Sequence, residues 1–305
     1  MSIRRLAVVV AAVLAVATPV AHAENLPDHT DRPTYLDHID SRYADTELAR
    51  FHYTVQGQGS PVVLVAGGGL WQYSWRDVIP ALAREHTVYA VDLPSQGYTE
   101  LKRPGFAYDL PSMAAALAAF LDAVGLHRTA LVGHSWGGAW SLYFAEQYPE
   151  RVARLSVLDS PGLDAEKAPV TPLFTTPLLG EVATELTTRE FYAESIRGTF
   201  ARKQAVTEEM IDQLWPPFAE PAHRAGFLAL WRNLDYRLTD RDLHKVGAVT
   251  QILWGGADEW LPAHQAHRLA ARIPHATATV LPGCGHTVHE DCPAETIPLI
   301  VDFLR

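Results

Sequence analysis

Arg128-Thr129-Ala130-Leu131-Val132-Gly133-His134-Ser135-Trp136-Gly137-Gly138 (RTALVGHSWGG) is an apolar run that stops at a glycine-flanked serine. The first part has the valine and leucine content of a buried strand, and Trp136 to Tyr148 has helical spacing ended by Pro149. A G-x-S-x-G between a strand and a helix is the sequence form of a sharp strand-to-helix turn that presents a serine hydroxyl at a sheet edge. The flanking glycines remove side chains that would clash in the turn. The pattern by itself occurs by chance; its strand-turn-helix setting gives it weight. The bland reading is a serine in an ordinary strand-to-helix turn.

Outward from that turn, strands and helices alternate. Phe51 to Val55, Pro61 to Ala66, Thr87 to Val91 and Leu155 to Leu158 read as strands; Trp75 to Arg84 and Asp109 to Val124 read as helices. From about Gly162 to Val246 the pattern changes to scattered prolines, aromatics and helical stretches, Thr184 to Arg197 and Thr207 to Trp215 among them. The rhythm then returns with strands at Val249 to Trp254 and Thr277 to Leu281, and helices at Pro262 to Ala271 and Pro293 to Leu304. Short strands without polar alternation argue for a mostly parallel sheet covered by helices on both faces, hence an α/β domain. Its parts are 24–161 and 247–305, with 162–246 inserted as a helical lid. The polar stretch from Glu24 to about His38 reads as a loosely ordered lead-in.

The start of the chain reads as a secretory signal over residues 1–23: Arg4 and Arg5, an apolar stretch from Leu6 to Ala17, and a small-x-small site at Ala21-His22-Ala23. The apolar stretch is short for a bilayer span, so a secreted or periplasmic protein is expected rather than an anchored one. Cys284 and Cys292 are the only cysteines. In an exported chain a disulfide between them is the expectation, with two buried free thiols as the alternative. A metal site is not expected from so few ligands. The formal net charge of -10 opposes binding to nucleic acid or anionic lipid.

A serine nucleophile needs a base, and the base an orienting acid, in the chain order serine, acid, histidine. Asp258 follows the strand Val249 to Trp254, and His286 follows the strand Thr277 to Leu281. Both therefore lie at strand C-terminal ends, where open parallel sheets bind ligands. Asp159, after Leu155 to Leu158, competes with Asp258 for the acid role, and Glu259 is a distant third. His289 is the nearest rival to His286, while His134 is expected to pack beside the turn. Backbone donors for an oxyanion are expected from Trp136, the residue after the serine, and from Gly68 in the run Gly67-Gly68-Gly69. No lysine follows those glycines at P-loop spacing.

These stretches resemble the α/β-hydrolase superfamily: GHSWGG at 133–138, DLPSQG at 92–97, SWR at 74–76 and GHTVHE at 285–290. They are most similar to its branch of epoxide hydrolases, haloalkane dehalogenases, proline iminopeptidases and small esterases. The resemblance covers about Ser41 to Leu304. It implies an eight-stranded, mostly parallel sheet, a helical lid over the site, no cofactor, and the roles given above to Ser135, Asp258, His286, Gly68 and Trp136. Two departures stand out. Ala66-Gly67 occupies the place where many relatives have His-Gly, and serine replaces the aspartate that epoxide hydrolases and dehalogenases of this type use.

The expected activity is ester hydrolysis through an acyl-enzyme, on a small-molecule substrate; the oligomeric state stays open. Trp215, Phe218, Phe227, Trp231 and Tyr236 could line an apolar pocket or merely fix the lid to the core. Lactone, carbon–carbon and aminopeptidase chemistry are the alternatives. The last needs an acidic grip on an amine, for which Glu194, Glu208, Glu209 and Glu220 are candidates, solvated helix faces being the simpler reading. A non-catalytic binding protein on the same fold is the alternative of a different class.

Overall fold

A computed structural model describes residues 33–305; the signal reading at 1–23 lies outside the described residues. The chain runs β1 (Ser41–Asp45), β2 (Ala49–Gln56), β3 (Ser60–Val65), α1 (Val78–Leu82), β4 (His86–Val91), β5 (Glu100–Leu101), α2 (Leu110–Ala123), β6 (Thr129–His134), α3 (Trp136–Gln147) and β7 (Val152–Leu158). Six helices then follow without a strand: α4 (Thr171–Thr175), α5 (Leu179–Glu185), α6 (Arg189–Arg197), α7 (Glu208–Ala219), α8 (Pro221–Asn233) and α9 (Arg237–Asp242). The chain closes with β8 (Val249–Gly255), α10 (Gln265–Ala270), β9 (Ala276–Leu281), α11 (Val288–Asp291) and α12 (Pro293–Leu304). No helix among the described residues is long and apolar enough to cross a membrane.

The sheet order is β1-β2-β4-β3-β6-β7-β8-β9, with the two-residue β5 paired to β2 as a ninth strand beside the expected eight. From β4 to β9 every neighbouring pair is parallel, and β2 is antiparallel to both β1 and β4. Alternate residues of β3 feed two cores. Val63 and Val65 face the layer containing α2, α3 and α10, whereas Val62 and Leu64 face the layer containing α1 and α12. Burial on both faces is why the central strands carry no polar alternation. Helix α2 starts at a capping box, in which Asp109 accepts from the Ser112 amide and the Ser112 hydroxyl accepts from the Asp109 amide.

Three local readings need correction. The lead-in is docked at its end: Tyr35 N donates to Gln213 of α7, Gln213 donates to Thr34, and Leu36 is buried. The single helix expected from Thr184 to Arg197 is two helices, because the Thr188 hydroxyl accepts from the Phe191 amide and starts α6 anew. The helix expected from Trp75 to Arg84 is a 3₁₀ turn, Gln72–Trp75, followed by the short α1.

One buried acid marks the contact between α3 and the end of the insertion. Glu146 is 4% exposed, and neither carboxyl oxygen has a hydrogen-bond partner. Burial first, then the nearby Asp242, push its pKa up to about 9, with Lys245 and Arg241 pulling the other way. The folded chain therefore holds a proton there that the unfolded chain, with its ordinary value of 4.5, releases. Stability falls as pH rises through that window. We expect Glu146→Gln to raise Tm over the parent by a margin that widens by a few degrees from pH 5 to pH 9 in calorimetric scans. A margin that stays flat with pH would refute the buried protonated state.

Candidate active site

Ser135 sits between β6 and α3 at φ 49 and ψ -121, a conformation unfavourable for a residue with a side chain. Close backbone approach enforces it. A Cβ on Gly137 would lie 2.3 Å from the Val65 carbonyl oxygen, and one on Gly133 would lie 2.5 Å from the Gly137 oxygen. The Ser135 amide donates to the Leu158 carbonyl at 2.9 Å, which ties the turn to β7.

The loops after β8 and β9 bring Asp258 and His286 to this serine. His286 Nδ1 donates to Asp258 Oδ2 at 2.8 Å, which leaves Nε2 as the acceptor facing Ser135 Oγ at 3.0 Å. The other Asp258 oxygen accepts from the Trp260 and Leu261 amides at 2.7 and 2.9 Å, and Oδ2 also accepts from the Trp254 indole at 3.1 Å. Every strong acceptor direction of that carboxylate is thus used, and its side chain is fully buried. Trp260 stacks on His286, with ring centres 5.9 Å apart. A hydroxyl so placed can pass its proton to the imidazole while the carboxylate stabilises the resulting cation.

The rivals are placed elsewhere. Asp159, at φ 47, accepts from the Gly255 amide at 2.7 Å and the Val288 amide at 3.1 Å, bracing β8 against α11. Burial, and then the neighbouring Asp258, raise its pKa well above the carboxylate range. Glu259 is exposed. His289 is buried and stacked on Trp75 at 4.3 Å, and burial holds it neutral. His134 is buried beneath the site, its pKa pushed down to about 3 by burial and by His286, and its Nε2 donates to the His286 carbonyl at 2.9 Å. The motif around His286 is further held by a pair between the partly exposed Arg76 and the buried Glu290. Cys284 and Cys292 form a disulfide whose loop contains His286.

The glycine loop lies over the turn. A Cβ on Gly67 would approach Ser135 Cβ to 3.1 Å, and one on Gly68 would strike the Trp136 indole at 2.1 Å. Gln96 Nε2 donates to the carbonyls of Ala66 and Gly67, both at 2.9 Å, and the Tyr192 hydroxyl donates to the Gly69 carbonyl at 2.7 Å. Neither residue was singled out from sequence, although Gln96 lies within the DLPSQG stretch and was open to notice there.

Ser135 opens into a cavity of about 200 Å³ shared between the core loops and the insertion. Gly68 and Trp136 line it, with Phe218, Phe227, Trp231 and Tyr236 from the insertion. Trp215 does not; it packs on Tyr192 and Phe218 at ring distances of 5.5 and 6.1 Å. The glutamates weighed for an amine grip lie outside the lining. Glu194 and Glu208 pair with Arg197 and Arg189 on the surface, and Glu209 and Glu220 are exposed. Glu166 is the one carboxylate of the lining among the described residues, half-exposed beside His264 and Arg268. Arg232, also of the lining, is committed to Glu181 at 2.6 and 2.8 Å.

A doubly wound sheet bearing a serine, a histidine and a carboxylate in this relation defines a serine hydrolase. The chain belongs to the family described as alpha/beta hydrolase fold, whose family model matches residues 60–293. It is 32% identical over 260 residues to the 2-hydroxy-6-oxo-2,4-heptadienoate hydrolase of Pseudomonas putida, covering 81% of this chain and 90% of that one. It is 26% identical over 270 residues, 84% and 85% of the two chains, to the cis-3-alkyl-4-alkyloxetan-2-one decarboxylase of Shewanella oneidensis. Among solved structures, Cfl2 from Burkholderia cenocepacia superposes with a TM-score of 0.77 at 27% identity, covering 87% of this chain and 95% of that one.

Asp159 offers two acceptor oxygens to two buried amides. Asn in its place offers one, so Asp159→Asn is expected to cost about 1–3 kcal/mol in urea unfolding. An unchanged unfolding midpoint would show that the Gly255 and Val288 amides do not depend on it.

Proposed function

We propose that the protein is an exported serine esterase that cleaves uncharged carboxylic esters carrying an apolar acyl group. Ser135 attacks the carbonyl carbon as His286 takes its proton, and Asp258 steadies the imidazolium. The amides of Trp136 and Gly68 receive the negative charge that develops on the carbonyl oxygen. The alcohol leaves with the proton from His286, and water, activated by the same histidine, releases the acid and restores the serine.

The observation that carries this reading is the Ser135–His286–Asp258 hydrogen-bond chain opening into an aromatic-lined cavity. The neutrality of the substrate follows from the cations of that cavity. Arg232 is already paired with Glu181, and Lys167 is exposed at the rim. An acidic substrate that buried its carboxylate deep in the cavity would meet an Arg232 already paired and would leave Lys167 behind at the exposed rim, which is costly. A carbon–carbon bond hydrolase is the second reading, supported by the relative from Pseudomonas putida, whose name specifies a dienoate. Export is supported by the pairing of the two cysteines, which oxidising surroundings favour.

A fluorophosphonate probe should label the protein and fail to label Ser135→Ala. That variant should lose on the order of 10⁴- to 10⁶-fold in kcat on p-nitrophenyl esters. Asp258→Asn should lose about 10⁴-fold in kcat, as expected where the wrong imidazole tautomer is held. Turnover of a 2-hydroxy-6-oxo-dienoate in preference to neutral esters would overturn the ester assignment in favour of the second reading.

A further inference from the structure

Helix α5 of the insertion exposes an apolar face. Leu178 is 78% exposed, Leu179 39%, Val182 46% and Leu186 54%. The spacing of 178, 182 and 186, with 179 beside them, places these side chains on one side of the helix. They make up most of the large exposed apolar residues of the described chain. The opposite side is fixed inward. Ala183 packs with Phe174 and Leu228, and a Cβ on Gly180 would meet the Phe174 carbonyl at 2.5 Å. Arg232 of α8 locks this arrangement, donating to the Phe174 carbonyl at 3.1 Å as well as to Glu181. The helix cannot turn its leucines inward without breaking those contacts. Leu178 is held at φ 65, where a residue with a side chain is strained, with that side chain in water.

The position of this face matters as much as its composition. Thr175 just before α5 and Thr187 just after it both line the cavity at Ser135, so the apolar face borders the cavity. Of the two acids on α5, Glu181 is paired with Arg232 and Glu185 is exposed, and the whole chain carries a formal -10. An apolar patch bordered by an exposed carboxylate on an acidic protein fits an uncharged or zwitterionic surface and is repelled by an anionic one. A second copy of this chain fits poorly, because a stable dimer covers roughly 20–30 residues a side. Four side chains suffice only for a soft surface into which they can insert, as interfacial helices do.

We propose that the exposed face of α5 docks the enzyme onto the surface of a dispersed lipid-like ester, zwitterionic or uncharged, and so presents the cavity to substrates too apolar to reach it from water. The proposal rests on the esterase reading and adds the substrate class: long-chain esters met at an interface.

Binding is tested apart from catalysis, with Ser135→Ala protein floated on phosphatidylcholine vesicles. We expect it to float with the vesicles. Leu178→Ser combined with Leu186→Ser should lower the bound fraction by about tenfold or more, given the apolar area removed. Phosphatidylglycerol in the vesicles should weaken binding. With Ser135 intact, the double variant should match the parent on soluble p-nitrophenyl acetate and fall at least several-fold behind on an emulsified long-chain ester. Absence of flotation, equal flotation of the double variant, or a dimer in light scattering that the double variant dissociates would each overturn the docking proposal. Failure of all ester turnover would overturn the esterase reading, while flotation would still report on the surface.

Discussion

The contact between three backbones beneath Ser135 is the constraint from which the rest of the site follows. The end of β3, the end of β6 and the first turn of α3 meet so closely that only glycine fits at 133 and 137. That contact holds Ser135 in a backbone conformation whose cost is about 1–3 kcal/mol when uncompensated. The offset comes from the central strands, whose buried valines and leucines close the sheet on both faces. Once the turn is held, the serine lies at the N-terminus of α3, where backbone N–H groups favour developing negative charge. The glycine loop after β3 is brought over the same spot because β3 and β6 are neighbours in parallel register, Val65 opposite Gly133.

The two carboxyls that follow strands show what chain position can and cannot reveal. Asp159 and Asp258 share the same setting, each after a buried strand near the sheet end that carries Ser135, and chain position favours Asp258 without showing what Asp159 does instead. Their hydrogen-bond partners separate them. Asp159 spends both oxygens on the amides of Gly255 and Val288, and burial favours its neutral form. Asp258 receives two amides and an indole, which support a charged carboxylate and still leave one oxygen directed at His286. The repulsion from Asp258 adds to the burial that favours the neutral form of Asp159.

Much of the core was legible because its signals are local. The valine-rich run at 62–65, the capping box at Asp109 and the glycines around Ser135 each determine their own neighbourhood. What was not legible depends on distant partners. Ser41–Asp45 has the composition of a loop and becomes an edge strand only because β2 offers it a register. Gln96 holds the glycine loop across 29 and 30 residues of sequence; its DLPSQG stretch marks it as worth notice but does not name that partner. Thr34 and Tyr35 lie in a polar lead-in and become ordered through Gln213, far along the chain. The break after Glu185 was hidden because Thr187 and Thr188 do not interrupt helical spacing; the hydroxyl that caps α6 decides it.

The insertion is not tied evenly to the core, and the difference divides its work. The stretch after α6 is bound to the loop that carries His286. Asp291 accepts from the amides of Gly285, Ala201 and Arg202, the Thr287 hydroxyl donates to that of Thr199, and the Trp260 indole donates to the Gly198 carbonyl. A Cβ on Gly285 would lie 2.5 Å from the Thr199 carbonyl oxygen, so the two segments meet backbone to backbone. This part of the insertion cannot lift away without disturbing the residue beside His286, and it acts as scaffold for the base. The pair α4 and α5 has a different attachment: a small apolar cluster with α8, and the partly exposed guanidinium of Arg232 paired to the half-exposed Glu181. Interactions of that kind are weak when solvent reaches them. The backbone-to-backbone attachment is therefore placed where proton transfer needs fixed distances, and the segment that presents leucines outward beside the cavity is tied to α8 and not to the loop that carries His286.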